Sequence, residues 1–381
     1  MKIVLCAAVI PEQYENKIAS LSIAGNRFVL NMSDELKKQN KVKILSYLAI
    51  SLKESDIREF AKLPPKNVFY VDKSGLKLKS VLQYMFLMMH WIKRADCLIT
   101  YNAVYAWLAA PCLARMAGKK SVLIFADYSA PDACRGILRK IYALLQLQAV
   151  RQYDIVIGLS KETKRYLKRG QKFLCMEGGI SRRLYDRFSE YKKKDGNDII
   201  FLYAGTLEPV TGIDLLLDAF DGLSGHQFQL WISGKGSLLE TVKGAARKDG
   251  RIRYLGCPCY KEYLNNLERA DILINPRNMA LPENRNNFPS KIMEYLATGK
   301  EIISTKFPGW EKFRQYMEFC GSSPDELLAC MKCLAGYKPD IIKWKQKRIF
   351  AREFLWKNQI KKMMDVIGNL DSDLSHAGGG R

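Results

Sequence analysis

The densest chemistry in this chain lies at Phe288-Pro289-Ser290-Lys291, with Glu294 one helical turn further on. A polar loop turns at the proline and opens into a helix. The unpaired N–H groups and partial positive charge of a helix start suit a phosphate, and Lys291 adds a full charge there. Glu294 can accept hydrogen bonds from a vicinal diol such as a ribose. Phosphate and ribose together describe a nucleotide. Three shorter features repeat the theme after apolar runs. Gly205 and Thr206 precede Gly212, and Gly234 and Gly236 flank Lys235. Arg277 follows Asn275-Pro276. Glycines let a ligand approach the backbone, although a plain turn explains them as well. The dinucleotide fingerprint Gly-x-Gly-x-x-Gly is not completed. The planar fork of Arg277 matches a phosphate, and read alone it is equally a surface arginine.

Such residues need elements to place them. Short apolar, β-branched runs alternate with amphipathic stretches throughout, which predicts α/β architecture with parallel sheets. Strands are expected at 2–8, 42–48, 67–70, 95–100, 121–125 and 155–159, then at 198–204, 227–233, 252–255, 272–274 and 301–304. Helices are expected at 27–39, 101–116, 212–220, 237–248, 261–268 and 290–298. A charged, turn-prone segment at 191–197 reads as a linker. The expected organisation is therefore a first doubly wound domain over 1–185 and a second over 198–345. A closing helical stretch over 346–368 and a disordered tail over 370–381 follow. Two such domains would meet at a cleft between the carboxyl ends of their sheets, where open α/β sheets bind ligands.

Bulk properties narrow the partners. The 61 Lys and Arg exceed the 39 Asp and Glu by 22, which calls for an anionic partner: nucleic acid, acidic lipid or a phosphorylated substrate. No nucleic-acid module is recognisable. Basic and apolar residues mix at 76–94, 135–151 and 343–362, and such helices can lie on an acidic bilayer. No stretch reaches the length of a membrane span, and no secretory leader is visible. The ten cysteines read as reduced core residues, which places the protein in the cytoplasm. The three histidines offer neither a general base nor a metal cluster, so neither metal nor cofactor is expected.

The second half resembles the nucleotide-sugar domain of family 4 glycosyltransferases, which have the GT-B fold. The resemblance runs through Ala204-Gly205-Thr206-Leu207, Gly212, Gly234-Lys235-Gly236, Tyr254-Leu255-Gly256, Ala270-Asp271 and Phe288 through Gly299. The first half is similar more loosely, at Ala24-Gly25-Asn26-Arg27-Phe28, at Ser160 and at Glu177-Gly178-Gly179-Ile180. The final helix, with Phe354 and Trp356, resembles one that crosses back onto the first domain. There are departures. Asn286 stands where the family's first glutamate would fall, Asn287-Phe288-Pro289 replaces a Gly-Phe-Gly segment, and Thr206 and Thr211 replace an arginine and a lysine. Lys291, Arg277 and Lys235 are expected to supply the missing charge.

The resemblance implies that Glu294 holds the ribose and that Ser290 and Lys291 hold the diphosphate. Gly256 and Cys257 would lie beside the base. Gly25 and Asn26 would approach the donor phosphate or the acceptor. Asp127 would touch the acceptor or the transferred sugar, with a helix cap or loop carboxylate as an equal reading. The implied activity is a retaining, metal-independent transfer from a nucleotide-sugar to a glycan or lipid-linked acceptor in surface polysaccharide synthesis, at the inner face of a membrane. An epimerase on a similar scaffold and a basic nucleic-acid-binding protein are the alternatives.

Overall fold

The computed structural model describes residues 1–12, 15, 22–50, 68–72, 77–128, 130, 131, 134, 136–192, 196, 198–284, 288–336 and 340–377. The chain forms two compact units, one made of Met1–Gly179 with Trp356–Arg381 and one of Ile180–Leu355.

The first unit is a seven-stranded sheet, ordered β3-β2-β1-β4-β5-β6-β7 and parallel throughout. Its strands are β1 (Lys2–Ala7), β2 (Lys41–Ile50), β3 (Val68–Asp72), β4 (Cys97–Tyr101), β5 (Lys120–Phe125), β6 (Ile155–Gly158) and β7 (Lys172–Cys175). The helices are α1 (Ile23–Lys37), α2 (Lys77–Ile92), α3 (Ala110–Met116) and α4 (Ile137–Val150). The run of Val, Leu and Ile in β1, β5 and β6 is buried on both faces, as a helix-covered parallel sheet requires.

In the second unit α5 (Arg182–Arg187) precedes a six-stranded parallel sheet ordered β10-β9-β8-β11-β12-β13. The strands are β8 (Ile199–Ala204), β9 (Phe228–Ser233), β10 (Ile252–Tyr254), β11 (Ile272–Asn275), β12 (Glu301–Thr305) and β13 (Glu318–Cys320). Between and after them run α6 (Ile213–Asp221), α7 (Leu239–Lys248), α8 (Tyr260–Arg269), α9 (Lys291–Thr298), α10 (Pro324–Ala335) and α11 (Ile341–Arg352). The last helix, α12 (Trp356–Ala377), belongs to the first unit. In strand order this is the doubly wound arrangement, whose order reverses between β8 and β11. The carboxyl ends of the strands that flank that reversal are where ligands of such sheets sit.

Several details differ from the sequence reading. The chain leaves the first unit at Gly179, so α5 lies in the second unit, astride the expected end of the first domain at 185. The stretch 101–116 is not one helix: Tyr101 ends β4, and α3 starts beside Pro111, which has no N–H to give to an earlier turn. The closing helical stretch is two helices separated at Glu353–Leu355, where Phe354 and Leu355 are buried. Residues 370–377 continue α12 rather than forming a disordered tail; 378–381 lie outside the described residues. Of the ten cysteines, all free, only Cys6, Cys97 and Cys320 are buried, and Cys330 and Cys333 stand at Cys-x-x-Cys spacing on α10. The reading of the cysteines as core residues passes over that pair.

Candidate active site

In the second unit the exits of three strands are tied together by backbone. Gly205 N–H bonds to Ser233 O at 3.0 Å, Leu207 N–H to Lys235 O at 2.9 Å, and Gly234 N–H to Gly256 O at 2.9 Å. The glycines make this possible. Gly234 has φ 142°, and a Cβ there would fall 1.7 Å from Gly205 O. Gly212 has φ 71°, and its Cβ would fall 1.8 Å from Pro276 O, so α6 starts hard against the exit of β11. These glycines, expected to admit a ligand, admit a neighbouring loop. Lys235 and Gly256-Cys257 are half-buried beside them. Glu208 accepts from Ser237 N–H at 2.9 Å and closes the same loop pair.

Beneath Thr206 lies Tyr203, which the sequence reading missed. Its hydroxyl donates to Thr206 O, and Thr211 Oγ1 donates to the same carbonyl at 2.7 Å. Burial pushes the Tyr203 hydroxyl up to about 12, against the pull of Thr211 and of the Arg277 charge. Arg277 is therefore at the reversal point, close to the exit of β8. It is held there by Asn284, also missed: Arg277 Nη1 donates to Asn284 Oδ1 at 2.8 Å. The Asn284 amide donates in turn to Val210 O at 2.6 Å and Asn278 O at 2.8 Å. A fully buried asparagine with both ends bonded fixes the arginine's direction.

Helix α9 meets the same place. Tyr295 Oη accepts from Ala204 N–H at 3.4 Å, which pins the helix to the end of β8. Phe288 and Pro289 are buried, the Phe288 ring 5.2 Å from that of Phe307. Phe288 thus anchors the loop in the core. Asn286 lies outside the described residues. Ser290 sits at the helix start without a side-chain capping bond. The amides of Ile292 and Met293 bond back to Pro289 O at 3.0 Å and Ser290 O at 3.2 Å.

Lys291 and Glu294, three residues apart, form an ion pair at 3.0 Å, each about a quarter exposed. Tyr263, on α8, donates to the same carboxylate oxygen at 2.5 Å, and the Lys291 ammonium lies 4.2 Å from the Tyr263 ring centre. The expected phosphate cation and ribose carboxylate are thus adjacent and engaged with each other. Tyr263 is the third site residue that sequence reading missed; its contact spans 31 positions, beyond any local pattern.

The first unit has its own cluster at strand exits. Asn26 is buried; it accepts from Ile10 N–H at 2.9 Å and donates to Ile10 O at 3.0 Å and Glu15 Oε1 at 2.8 Å. Its side chain is spent on the β1 exit, so its visible role is to shape that loop. Gly25 N–H bonds to Ser22 Oγ at 3.1 Å, and a Cβ on Gly25 would stand 3.4 Å from the Tyr101 hydroxyl. Burial, then the nearby Asp127 charge, holds that hydroxyl well above its usual range. Asp127 itself is exposed and accepts from Asn102 Nδ2 at 3.3 Å. Asn102 Oδ1 accepts from the amides of Ala126 at 2.8 Å and Asp127 at 3.0 Å. Asn102 is the non-glycine residue with positive φ, at 58°, among the described residues, a conformation asparagine tolerates.

Among the described residues no group of three or more His, Cys, Asp or Glu is placed to hold a metal ion.

Residues 185–314 match the family model described as Glycosyl transferases group 1. Over that third of the chain the match is to a group 1 glycosyltransferase domain. The domain includes the tied loops, Arg277, Lys291 and Glu294 in one matched span. A curated relative, the putative teichuronic acid biosynthesis glycosyltransferase TuaH of Bacillus subtilis, is 23% identical over 247 residues, 60% of this chain. The match spans about 60% of that relative's length. Among solved structures, HepE of Anabaena in complex with UDP is similar with a TM-score of 0.70 at 13% identity, covering 97% of this chain and 100% of that one. A glycosyltransferase from Rickettsia africae is similar with a TM-score of 0.66 at 15% identity, over 96% of this chain and 97% of that one. WaaG, a glycosyltransferase involved in lipopolysaccharide biosynthesis, gives 0.65 at 15% identity, over 96% and 99%. The fold is GT-B, as the sequence predicts.

Proposed function

We propose that this protein transfers a sugar from a nucleotide-sugar, with UDP as its nucleotide, to an acceptor hydroxyl. The observation that carries the reading is the meeting of Lys291, Glu294 and the start of α9, a helix pinned to the end of β8. Arg277 stands at the reversal of strand order in the same sheet. On donor binding Lys291 exchanges Glu294 for the diphosphate. Tyr263 keeps its hold on the carboxylate, which then accepts from the ribose hydroxyls. The anomeric carbon–oxygen bond to the diphosphate breaks, the acceptor oxygen takes its place, and the acceptor's proton passes to the departing diphosphate. Lys291, Arg277 and the amides of Ser290 and Lys291 stabilise the negative charge that develops on the departing diphosphate. These groups suffice for a metal-independent route.

The finer reading follows the family resemblance: retention at the anomeric carbon, a lipid-linked acceptor and a role in surface polysaccharide synthesis at an acidic inner membrane face. The teichuronic acid relative and the net charge of +22 support it. Thermal shift with a panel of nucleotide-sugars tests the donor. One UDP-sugar should raise the melting temperature of the wild-type chain, and Lys291→Ala should lose most of that shift. A wild-type chain unmoved by every nucleotide-sugar would sink the proposal.

A further inference from the structure

Helix α4 is built the wrong way round for a helix facing water. Its buried residues are Ala143, Ala149 and Val150. Its large apolar residues, Ile137, Leu138, Ile141, Leu144 and Leu145, are between 46 and 79% exposed. They follow an i, i+1, i+4, i+7, i+8 pattern, which gathers them in one stripe along the helix. A monomer in water buries such a stripe, and a contiguous exposed one marks a docking surface. Arg139 and Lys140 are exposed at the same end, and the helix holds no Asp or Glu. Among the described residues no helix is long and apolar enough to cross a membrane.

We propose that the α4 stripe seats the protein on an anionic bilayer, the apolar side chains entering the acyl boundary and Arg139 and Lys140 meeting lipid phosphates. Charge decides between occupants. A net charge of +22 opposes the approach of a second copy and favours an acidic surface. The inference deepens the membrane part of the reading above. Of the three basic apolar stretches, it assigns the contact to the one within 135–151. The stripe lies outside the donor site, so membrane binding and donor binding can be lost separately.

Flotation of the full chain with vesicles tests it, on phosphatidylcholine alone and on phosphatidylcholine mixed with phosphatidylglycerol. The wild-type chain should float with the mixed vesicles and poorly with the neutral ones. Leu138→Gln, Leu144→Gln and Leu145→Gln combined should lower binding about tenfold or more. Arg139→Gln with Lys140→Gln should lower it roughly fivefold per charge, on the mixed vesicles only. Both variants should keep the thermal shift with UDP, which also reports that they fold. The inference is overturned if the wild-type chain stays off the mixed vesicles, or if the triple variant floats as the wild type does. A wild-type dimer that the triple variant dissociates overturns it too, since a second copy then covers the stripe. Flotation that follows these expectations in a chain blind to all nucleotides supports the docking face and removes the transferase reading alone.

Discussion

The two units share a sheet order through six strands, yet they fasten their strand exits by different means. In the second unit the fastening is backbone to backbone, across glycines that leave no room for a side chain. In the first, side chains take a larger share: Asn26, Ser46 and Asn102 each bond to neighbouring backbone, beside backbone bonds such as Asn102 N–H to Ile124 O. Backbone fastening leaves the surface to the side chains that reach past it, Arg277, Lys291 and Lys235 among them. The outer surfaces differ as well. Of the exposed large apolar residues among the described ones, the second unit shows Ile341, Ile342 and Ile349, all on α11, and the rest belong to the first unit. One unit is built around a cationic loop cluster, the other around an oily exterior.

The sharpest way to break the contrast is to give the second unit a side chain at its fastening. Gly212→Ala puts a methyl into Pro276 O at a positive φ, and should cost more than about 3 kcal/mol of unfolding free energy in urea. If the cost is small, the loops are not held as described. The matching change in the first unit is Asn26→Leu. It strands the Ile10 amide and carbonyl and takes one partner from the buried Glu15, which keeps its Arg27 ion pair, for about 2–4 kcal/mol by the same measurement. Lys291→Ala should separate function from stability. Its ion pair is an exposed-edge i,i+3 contact worth about 0.5 kcal/mol to folding. Its loss should nonetheless weaken UDP binding about 10- to 100-fold by calorimetry. A smaller effect reports on pH. The Arg251 guanidinium holds the Asp249 carboxyl below its usual range. The carboxylate thus contributes stability above the unfolded pKa of about 4, and that stability is lost as pH falls through the lower folded value. Asp249→Asn should remove this acid-side loss, a change under about 1 kcal/mol, read from unfolding curves at two pH values.

Much of this was legible in the sequence, because β-branched runs and capped helix starts are local signals. β8, β9, β11 and β12 announce themselves, and so does the start of α9. β7 and β13 do not: they are short, as β11 is, but Lys172–Cys175 and Glu318–Cys320 hold no β-branched residue. Asn102 gives no sign of its positive φ, which depends on the β5 exit it ties down. Tyr263 and Asn284 are invisible for the same reason, since each acts on a group brought to it by the fold. The glycines were visible, but spacing says only that something approaches; that a neighbouring loop does so depends on the fold.

The second unit begins and ends in one place: Ile180 N–H bonds to Phe354 O at 2.7 Å, and Ile180 and Leu355 form a parallel bridge. One residue outward on each side, a Cβ on Gly179 would land 2.3 Å from the ring of Trp356, which packs edge-on against Phe28 at 4.8 Å. The second unit is therefore an insertion in the first. A ribosome finishes the inserted portion before it makes the tryptophan that closes the host, so the earlier-synthesised half must wait, incomplete, for its last helix. Excising 180–355 as a recombinant fragment should give a self-sufficient folding unit, whereas stopping translation after Gly179 should not.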